Sequence, residues 1–162
     1  MLVLGVDPGS TVTGYGLVEM AAGTLKYRHD EQFKLPARAD AAARLALLFD
    51  HTVGLLEKYR PDEFAVEGVF YGKNVKSMLV LGQARGAVMV AVARYGLAVH
   101  EYPPSSVKQA VTGYGKASKE QIQQMVKLLL KHEALAGEHA ADALAVAICH
   151  HQLAAFRRRT GR

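Results

Sequence analysis

Apolar residues along this chain form short runs typical of strands and longer runs with helical spacing. Residues 2–6 are branched and apolar except for one glycine, which predicts a strand buried on both faces. The turn residues Asp7-Pro8-Gly9-Ser10 end that strand. Looser alternation predicts two more strands, over 14–20 and 24–35, with a turn at Gly23 between them. We expect these three strands to form an antiparallel meander.

Helical spacing dominates the remainder of the chain. The pattern predicts seven further elements: helices over residues 37–59, 74–95, 105–111, 118–131 and 138–156, and strands over 64–67 and 97–102. No repeat or low-complexity linker divides the chain, so we expect one domain over residues 1–156 and a basic C-terminal tail over 157–162. The element order predicts an α/β fold with a mixed five-stranded sheet flanked by helices.

The composition excludes several classes of protein. The chain has 162 residues, of which 50% are hydrophobic and 22% charged, as expected for a folded domain. No apolar run reaches the roughly 20 residues that span a bilayer, and no basic segment precedes the apolar N-terminus. We therefore expect neither a membrane protein nor a secreted one. The single cysteine, Cys149, excludes an internal disulfide and fits a cytoplasmic location.

Charge is distributed unevenly along the chain. Residues 1–70 carry 7 Lys and Arg against 10 Asp and Glu, whereas residues 71–162 carry 13 against 5. A basic half of this kind is compatible with a polyanionic partner such as nucleic acid. It is equally compatible with a solvated basic face, because charges that cluster in sequence need not form one surface.

Three acidic residues occupy apolar surroundings. Asp7 and Glu67 each end an apolar strand, and Asp142 lies within an apolar helical segment. Charged side chains are rarely buried without a partner or a metal, and none of the three has a Lys or Arg within three residues. Each also has an ordinary structural explanation: a turn residue, a solvent-facing strand end, and one polar position on an exposed helix stripe.

The same acidic residues predict a metal site if the fold brings them together. Strand ends of an α/β sheet open onto a common crevice, and a helix packed on the sheet can supply a third carboxylate. His139 lies three residues before Asp142 and hence on the same helix face, although a surface role is its alternative. Carboxylate oxygens suit Mg²⁺ or Mn²⁺ better than zinc. Asp7, Glu67, His139 and Asp142 are therefore the candidate catalytic and metal-ligating residues.

The absence of several known motifs narrows the possible activities of the chain. The sequence contains no P-loop, no dinucleotide-binding glycine motif, no His-Glu-x-x-His zinc motif and no nucleophile elbow. Two glycines four residues apart, Gly82 and Gly86, would allow another helix to approach closely. That helix could belong to the core of the same chain or to a second copy across a dimer interface.

An ordered set of motifs resembles the RuvC family of bacterial Holliday-junction resolvases, within the ribonuclease-H-like nuclease superfamily. The resemblance covers essentially the whole chain. It rests on these segments: Asp7-Pro8-Gly9-Ser10, Val66-Glu67-Gly68-Val69-Phe70, Lys73-Asn74, Leu81-Gly82-Gln83-Ala84-Arg85-Gly86, Val107-Lys108-Gln109-Ala110 and residues 139–148. The order of the whole set is far more specific than Asp-Pro-Gly alone.

The resemblance implies a ribonuclease-H-like fold and a defined activity. The family forms homodimers that bind a four-way DNA junction and nick two opposed strands symmetrically. By resemblance, Asp7, Glu67 and Asp142 would be metal-binding catalytic carboxylates, with Mg²⁺ or Mn²⁺ as cofactor and two ions per site. The family commonly has aspartate at the position of His139, and this departure leaves the metal preference open.

The resemblance also implies which residues meet DNA. Phe70 matches the aromatic residue that enters the junction, and Lys108 and Lys119 match basic residues near the scissile strand. Tyr71 and Lys73 stand close to Phe70 in sequence and are further DNA-binding candidates. The implied protein partners are RuvA and RuvB, the branch-migration proteins, and no membrane is implied.

Two other functions remain open at this stage. Asp7 to Gly16 could cradle a nucleotide phosphate in a fragment of an actin-like or Hsp70-like ATPase, but a two-lobed clamp of that kind needs a longer chain. A junction-binding protein without catalysis would bind four-way DNA whether or not its carboxylates were neutralised. Metal-dependent nicking separates a nuclease from both alternatives.

Overall fold

The computed structural model describes residues 1–68 and 74–160, with side chains up to residue 155. Phe70, Tyr71 and Lys73, three of the candidate DNA-binding residues, lie outside the described residues. The ten elements, in chain order, are β1 Leu2–Asp7, β2 Val12–Ala21, β3 Thr24–Lys34, α1 Ala41–Tyr59, β4 Glu63–Glu67, α2 Val75–Tyr95, β5 Val99–Tyr102, α3 Pro104–Thr112, α4 Lys119–Leu130 and α5 Glu138–Thr160.

The strands form one mixed sheet in the order β3-β2-β1-β4-β5. β1, β2 and β3 pair antiparallel as a meander, whereas β4 and β5 extend the sheet in parallel with β1. Parallel neighbours need a crossover, and the helices α1 and α2 supply the two crossovers to β4 and β5. The predicted α/β class with a mixed five-stranded sheet is confirmed.

Two helix boundaries differ from the sequence prediction by four residues, and the other boundaries by at most two. α1 begins at Ala41 rather than at residue 37, because the Asp40 side chain accepts a hydrogen bond from the Ala43 amide (2.8 Å) and caps the helix there. α5 continues to Thr160 rather than ending at residue 156. Arginines 157–159 are good helix formers, so the segment expected to be a basic tail prolongs the last helix.

Helices cover both faces of the sheet. Val3 and Ala65 face a buried cluster that includes Leu144 and Ile148 of α5. The neighbouring strand residues face the opposite cluster, which contains these side chains: Leu4, Val6, Leu17, Phe64, Leu48, Leu56, Val88 and Val92. Because side chains alternate along a strand, β1 and β4 are buried on both faces, which explains their continuous apolar sequences.

α5 lies in direct contact with the backbone of β1 and β2. A Cβ atom added at Gly5 would lie 2.1 Å from the Ala143 carbonyl oxygen, and one at Gly14 would lie 1.9 Å from the His139 carbonyl oxygen. At Gly16 it would meet the Leu144 backbone nitrogen at 2.6 Å. Only glycine fits at such distances, so the strand glycines allow α5 to lie against the sheet.

α2 is the one helix of the described residues that is long and apolar enough, by length and composition alone, to span a bilayer. Its most apolar window has a mean hydropathy of 1.4, and 28% of that window is buried in the chain. The sequence nevertheless has no uninterrupted apolar run of this length here, because Lys76, Arg85 and Arg94 interrupt α2. Gly82 and Gly86 on this helix have open space around them, so packing within the chain does not require them.

The contact between α5 and the sheet predicts a stability effect. Gly14→Ala should lower the free energy of unfolding by about 1–3 kcal/mol, because the new methyl group forces α5 or β2 to shift. Gly54→Ala is the matched control, since Gly54 lies in α1 with nothing within 4 Å of its added Cβ. This control should be neutral or stabilising by up to about 1 kcal/mol. Urea unfolding measures both variants; a Gly14→Ala variant as stable as the parent chain would contradict the packing argument.

Candidate active site

Two acidic residues end neighbouring parallel strands. Asp7 is the last residue of β1 and Glu67 the last residue of β4. The register of the two strands pairs Gly5 with Ala65 and Val6 with Val66, which places Asp7 and Glu67 side by side at one edge of the sheet. Alternation along the strands puts both on the face that α5 covers.

The first turns of α5 add a histidine and an aspartate to this edge. The His139 Nδ1 atom lies 2.7 Å from Asp7 Oδ2, within hydrogen-bond distance. One ligand atom each from Asp7, His139 and Asp142 lies within 4.8 Å of the others. The side chains of Asp7 and His139 remain 20% and 40% exposed, so a substrate can approach them from solvent.

Glu67 lines a cavity with each of the other two carboxylates. It lines a cavity of about 220 Å³ together with Asp7. It also lines a second cavity, of about 160 Å³, together with Asp142 and the lysines Lys108 and Lys119. A larger cavity of about 640 Å³ along α4 contains none of the candidate residues. The structure thus brings all four candidate metal ligands and two of the candidate DNA-binding lysines to one place.

Burial and neighbouring negative charge raise the pKa of all three acidic side chains. Burial is the main cause that raises the pKa of Glu67 to about 7, followed by the negative charges of Asp7 and Asp142. Burial and the charge of Asp7 raise the pKa of Asp142 to about 6. Burial also raises the pKa of Asp7, against the opposing effect of His139. The cluster therefore attracts positive charge, either as protons or as a cation.

The donor atoms fit a divalent metal ion. Carboxylate oxygens and one imidazole nitrogen converge from two strands and one helix, and oxygen donors of this kind bind Mg²⁺ and Mn²⁺. A bound dication would offset both the burial and the neighbouring negative charges that raise the pKa values of Glu67 and Asp142. Asp7, His139 and Asp142 can hold one ion together, and Glu67 borders the same space.

The two lysines lie on the rim of the site. Lys119, the first residue of α4, forms an ion pair with Glu138, the first residue of α5. Its hydrogen bond to Glu138 raises the pKa of the Lys119 ammonium, so the group stays charged. Lys108 extends from α3 into the same cavity, where its charge partly offsets the raised pKa of Glu67. Both lysines therefore place positive charge beside the carboxylates.

Sequence reasoning missed a buried arginine that supports Glu67. Arg85 of α2 is 8% exposed, and its Nη1 group donates a hydrogen bond to the Glu67 carbonyl oxygen (2.6 Å). Its Nη2 atom lies 2.7 Å from the Glu101 carboxylate. An arginine beside the apolar stripe of a helix is the signal that could have identified it, because buried arginines need partners.

Two polar residues of β3 hold the start of α5 and were also missed. The Gln32 Oε1 atom accepts a hydrogen bond from the His139 amide (3.1 Å), and the Asp30 carboxylate accepts one from the Ala136 amide (2.7 Å). The bond to His139 satisfies one of the amide groups that a helix N-terminus leaves unpaired, and the bond to Ala136 holds the segment just before α5. Asp30 and Gln32 precede their partners by more than a hundred residues, so no local pattern indicates the contact.

The raised pKa values predict that the acidic site destabilises the metal-free chain. The native state holds more protons than the unfolded state between about pH 4.5 and pH 7, so this contribution to stability falls as the pH rises through that window. Glu67→Gln should therefore raise the free energy of unfolding at pH 8 by about 1–2 kcal/mol, or roughly 2–4 °C in Tm per kcal/mol, and leave it unchanged at pH 4.

Glu120→Gln provides the matched control for this measurement. The Ser118 hydroxyl lowers the pKa of Glu120, so the substitution should not stabilise the chain at pH 8. Thermal unfolding in EDTA at both pH values decides the question. A Glu67→Gln variant that is less stable than the parent at pH 8 would show that the charged carboxylate has compensating partners in the native state.

The comparisons with known proteins agree over nearly the full length of the chain. The family model for crossover junction endodeoxyribonuclease RuvC matches residues 3–150. The chain is 47% identical to that enzyme from Heliobacterium modesticaldum over 150 residues, which are 92% of this chain and 93% of the relative. It is 46% identical to the enzyme from Moorella thermoacetica over 160 residues, which are 98% and 96% of the two chains.

Solved structures show the same relationship. The Thermus thermophilus RuvC structure matches with a TM-score of 0.85 and 36% identity, covering 99% of this chain and 97% of that chain. T. thermophilus RuvC in complex with Holliday junction substrate matches with a TM-score of 0.86 and 34% identity, at the same coverage. The yeast mitochondrial Holliday junction resolvase, at 16% identity and a TM-score of 0.68, shares the fold. The chain belongs to the RuvC family of crossover junction endodeoxyribonucleases.

Proposed function

We propose that this chain resolves four-way DNA junctions by nicking two opposed strands symmetrically, with Asp7, Glu67, His139 and Asp142 as its catalytic residues. The observation that carries the proposal is the convergence of Asp7, His139 and Asp142, whose ligand atoms lie within 4.8 Å of one another. That convergence occurs in a chain whose fold matches RuvC bound to a Holliday junction substrate. A partly exposed carboxylate cluster beside two lysines suits hydrolysis of a phosphodiester.

In this proposal the catalytic residues act by holding divalent metal ions at the scissile phosphate. Divalent ions bound there, two per site in this proposal, would activate a water molecule and stabilise charge on the scissile phosphate and the leaving oxygen. Asp7, His139 and Asp142 would hold one Mg²⁺ or Mn²⁺, and Glu67 with Asp7 would hold the other. Because the pKa of Glu67 is about 7, metal binding replaces a proton that the carboxylate otherwise shares at neutral pH.

Positive groups bring the DNA backbone to this acidic site. Lys108 and Lys119 would bind phosphates next to the scissile bond, which gives affinity that depends on salt and little on sequence. Glu138 holds Lys119 at the rim, so the lysine is positioned before DNA arrives. Phe70, Tyr71 and Lys73 follow Glu67 in sequence and are proposed to contact the unpaired junction centre.

A homodimer would place two such sites on one junction. α2 exposes large apolar side chains on one stripe: Val75 (71% exposed), Leu79 (64%) and Val90 (53%). Gly82 and Gly86 continue this stripe at helical spacing and leave room for a second helix. We therefore assign the interface to the stripe on α2, where a two-fold axis relates identical sites.

The family resemblance supports a proposal for the protein partners, and the cysteine content supports one for the location. RuvA and RuvB, which the sequence resemblance implies as branch-migration partners, are proposed to deliver the junction. The chain is proposed to act in the cytoplasm, where a single free and buried Cys149 stays reduced.

Cleavage and binding should separate when the carboxylates are neutralised. Asp7→Asn, Glu67→Gln and Asp142→Asn should each reduce nicking of a synthetic junction by at least about 10³-fold, because each removes a proposed metal ligand. Junction binding in metal-free buffer should remain, because the lysines provide the phosphate affinity. Lys108→Ala is the contrasting variant, expected to flatten the salt dependence of binding. Equal losses of binding and nicking in all three carboxylate variants would overturn the assignment.

The imidazole of His139 should set the metal preference. Nitrogen donors suit transition metals better than Mg²⁺, so cleavage should be clearly faster with Mn²⁺ than with Mg²⁺. His139→Asp should keep activity and shift the preference toward Mg²⁺, whereas His139→Ala should lose most activity with both metals. Initial nicking rates across a titration of each metal measure the effect. A His139→Ala variant that cleaves normally would remove the histidine from the site.

The dimer assignment has its own test. Leu79→Glu places a charge in the exposed apolar stripe of α2 and should yield a monomer, measured as mass by sedimentation equilibrium. Leu128→Glu is the matched control, because Leu128 is 68% exposed on α4, away from that stripe. It should remain dimeric. A parent chain that is monomeric at micromolar concentration would contradict the assignment.

A further inference from the structure

A second cluster of ligand side chains lies at the opposite end of the sheet from the carboxylates. It consists of Glu63 at the start of β4, His100 in β5 and His150 in α5. The Glu63 Oε2 atom lies 2.5 Å from His150 Nε2 and 3.7 Å from His100 Nε2. Within residues 1–68 and 74–160, this cluster and the group around Asp7 are the two sets of three whose ligand atoms lie within 4.8 Å of one another.

The second cluster is separate from the catalytic site. Glu63 precedes Glu67 by four residues on β4, a separation of about 13 Å at the usual rise of a strand. His150 follows Asp142 by eight residues on α5, or about 12 Å along the helix. The same strand and helix thus carry one cluster at each end, and the two clusters share no residue.

The donor atoms of this cluster match a transition metal. Two imidazoles and one carboxylate form the ligand set of zinc sites that keep a fourth position open. Tetrahedral bonds of 2.0–2.1 Å place neighbouring ligand atoms about 3.4 Å apart. The separations of Glu63 Oε2 from the two imidazole nitrogens, 2.5 Å and 3.7 Å, lie on either side of that value. Small side-chain rotations would therefore accommodate a zinc ion. Mg²⁺ prefers oxygen ligands and would not favour a site with two imidazole nitrogens.

A further hydrogen bond orients the buried ligand. The Tyr102 hydroxyl lies 2.8 Å from His150 Nδ1, which leaves Nε2 of the same ring directed at Glu63. Metal-bound histidines usually have such a partner on the second nitrogen. His150 is only 1% exposed, whereas His100 and Glu63 are each 30% exposed. The site is therefore anchored in the core on one side and open to solvent on the other.

We propose that Glu63, His100 and His150 form a second metal site, selective for Zn²⁺ or a similar transition-metal ion, with three protein ligands and a fourth position open to solvent. Binding would replace the proton that Glu63 and His150 share and would join β4, β5 and α5 through one ion. Because these elements also carry Glu67 and Asp142, the ion would stabilise the scaffold of the catalytic site from its far end.

Zinc titration of the full chain tests the proposal. Asp7→Asn combined with Asp142→Asn removes two candidate ligands of the catalytic site, so that remaining zinc binding reports the second cluster. Calorimetric titration of this double variant with ZnCl₂ should give one ion per chain, and zinc should raise its Tm. Co²⁺ in place of Zn²⁺ should give the visible absorption of a tetrahedral site.

Further substitutions in the double variant identify the ligands. His100→Gln and Glu63→Gln should each lower zinc affinity by about tenfold or more and abolish the shift in Tm. Both residues are partly exposed, so the folded state, checked by circular dichroism, should survive the substitutions. His29→Gln is the matched control, because His29 also pairs with a glutamate, Glu31, at 2.8 Å. It should bind zinc as the double variant does.

The results that would overturn the proposal are distinct from those that test the nuclease. Failure of the double variant to bind zinc, or equal binding by the His100→Gln variant, would exclude the second site. Neither result depends on cleavage, so the assignment of the catalytic residues would stand in either case.

Discussion

α5 lies so close to β1 and β2 that three strand positions have no room for a Cβ atom. Gly5, Gly14 and Gly16 meet the backbone of α5, and the helix presents alanines such as Ala143 and Ala147 to them. This contact leaves little freedom of movement, because backbone atoms cannot rotate away from a clash as a flexible side chain can. The position of α5 along the sheet is therefore fixed. The positions of His139 and Asp142 relative to Asp7 are fixed with it.

This contact explains how residues far apart in sequence form one site. Asp7 and Glu67 are fixed by strand register, and Arg85 holds the backbone at Glu67 from the opposite side of the sheet. Gln32 binds the amide of His139 and so fixes the first turn of α5. Each acidic group is placed by backbone contacts that do not involve its own side chain. The carboxylates can therefore be held together although their charges repel.

The burial of these carboxylates, together with their mutual repulsion, has a functional consequence. In the metal-free chain the pKa of Glu67 rises to about 7 and that of Asp142 to about 6, so folding stores unfavourable energy in the site. A dication recovers that energy when it binds, which favours metal binding over an empty acidic cleft. The same acidic charge would repel DNA, and we propose that Lys108 and Lys119 on the rim would provide the compensating attraction.

Much of this arrangement could be predicted from the sequence because it depends on local patterns. The apolar runs ending at Asp7 and Glu67 identified two strands and the sheet edge where their carboxylates lie. Asp142 stood out because its neighbours on α5 are apolar. The family resemblance added the lysines, which charge counts alone did not identify. The candidate DNA-binding residues that follow Glu67 stay predictions, since they lie outside the described residues.

Contacts between distant segments could not be predicted in the same way. Gln32 and His139 are 107 positions apart, and no local sequence feature of either residue indicates their contact. Glu63, His100 and His150 come from three elements and meet only because β4, β5 and α5 are neighbours. The predicted start of α1 was wrong for a local reason. The capping residue Asp40 follows residues 37–39, whose composition also suits a helix.

Mapping of nick positions on a synthetic mobile four-way junction tests the account most directly. Each of the four strands is labelled in turn, and the wild-type chain is incubated with Mg²⁺ or Mn²⁺ and, separately, with EDTA. The account predicts metal-dependent nicks at symmetric positions in two opposed strands, with the other two strands intact. Tight junction binding without nicks in either metal, or nicks on all four strands without symmetry, would contradict it.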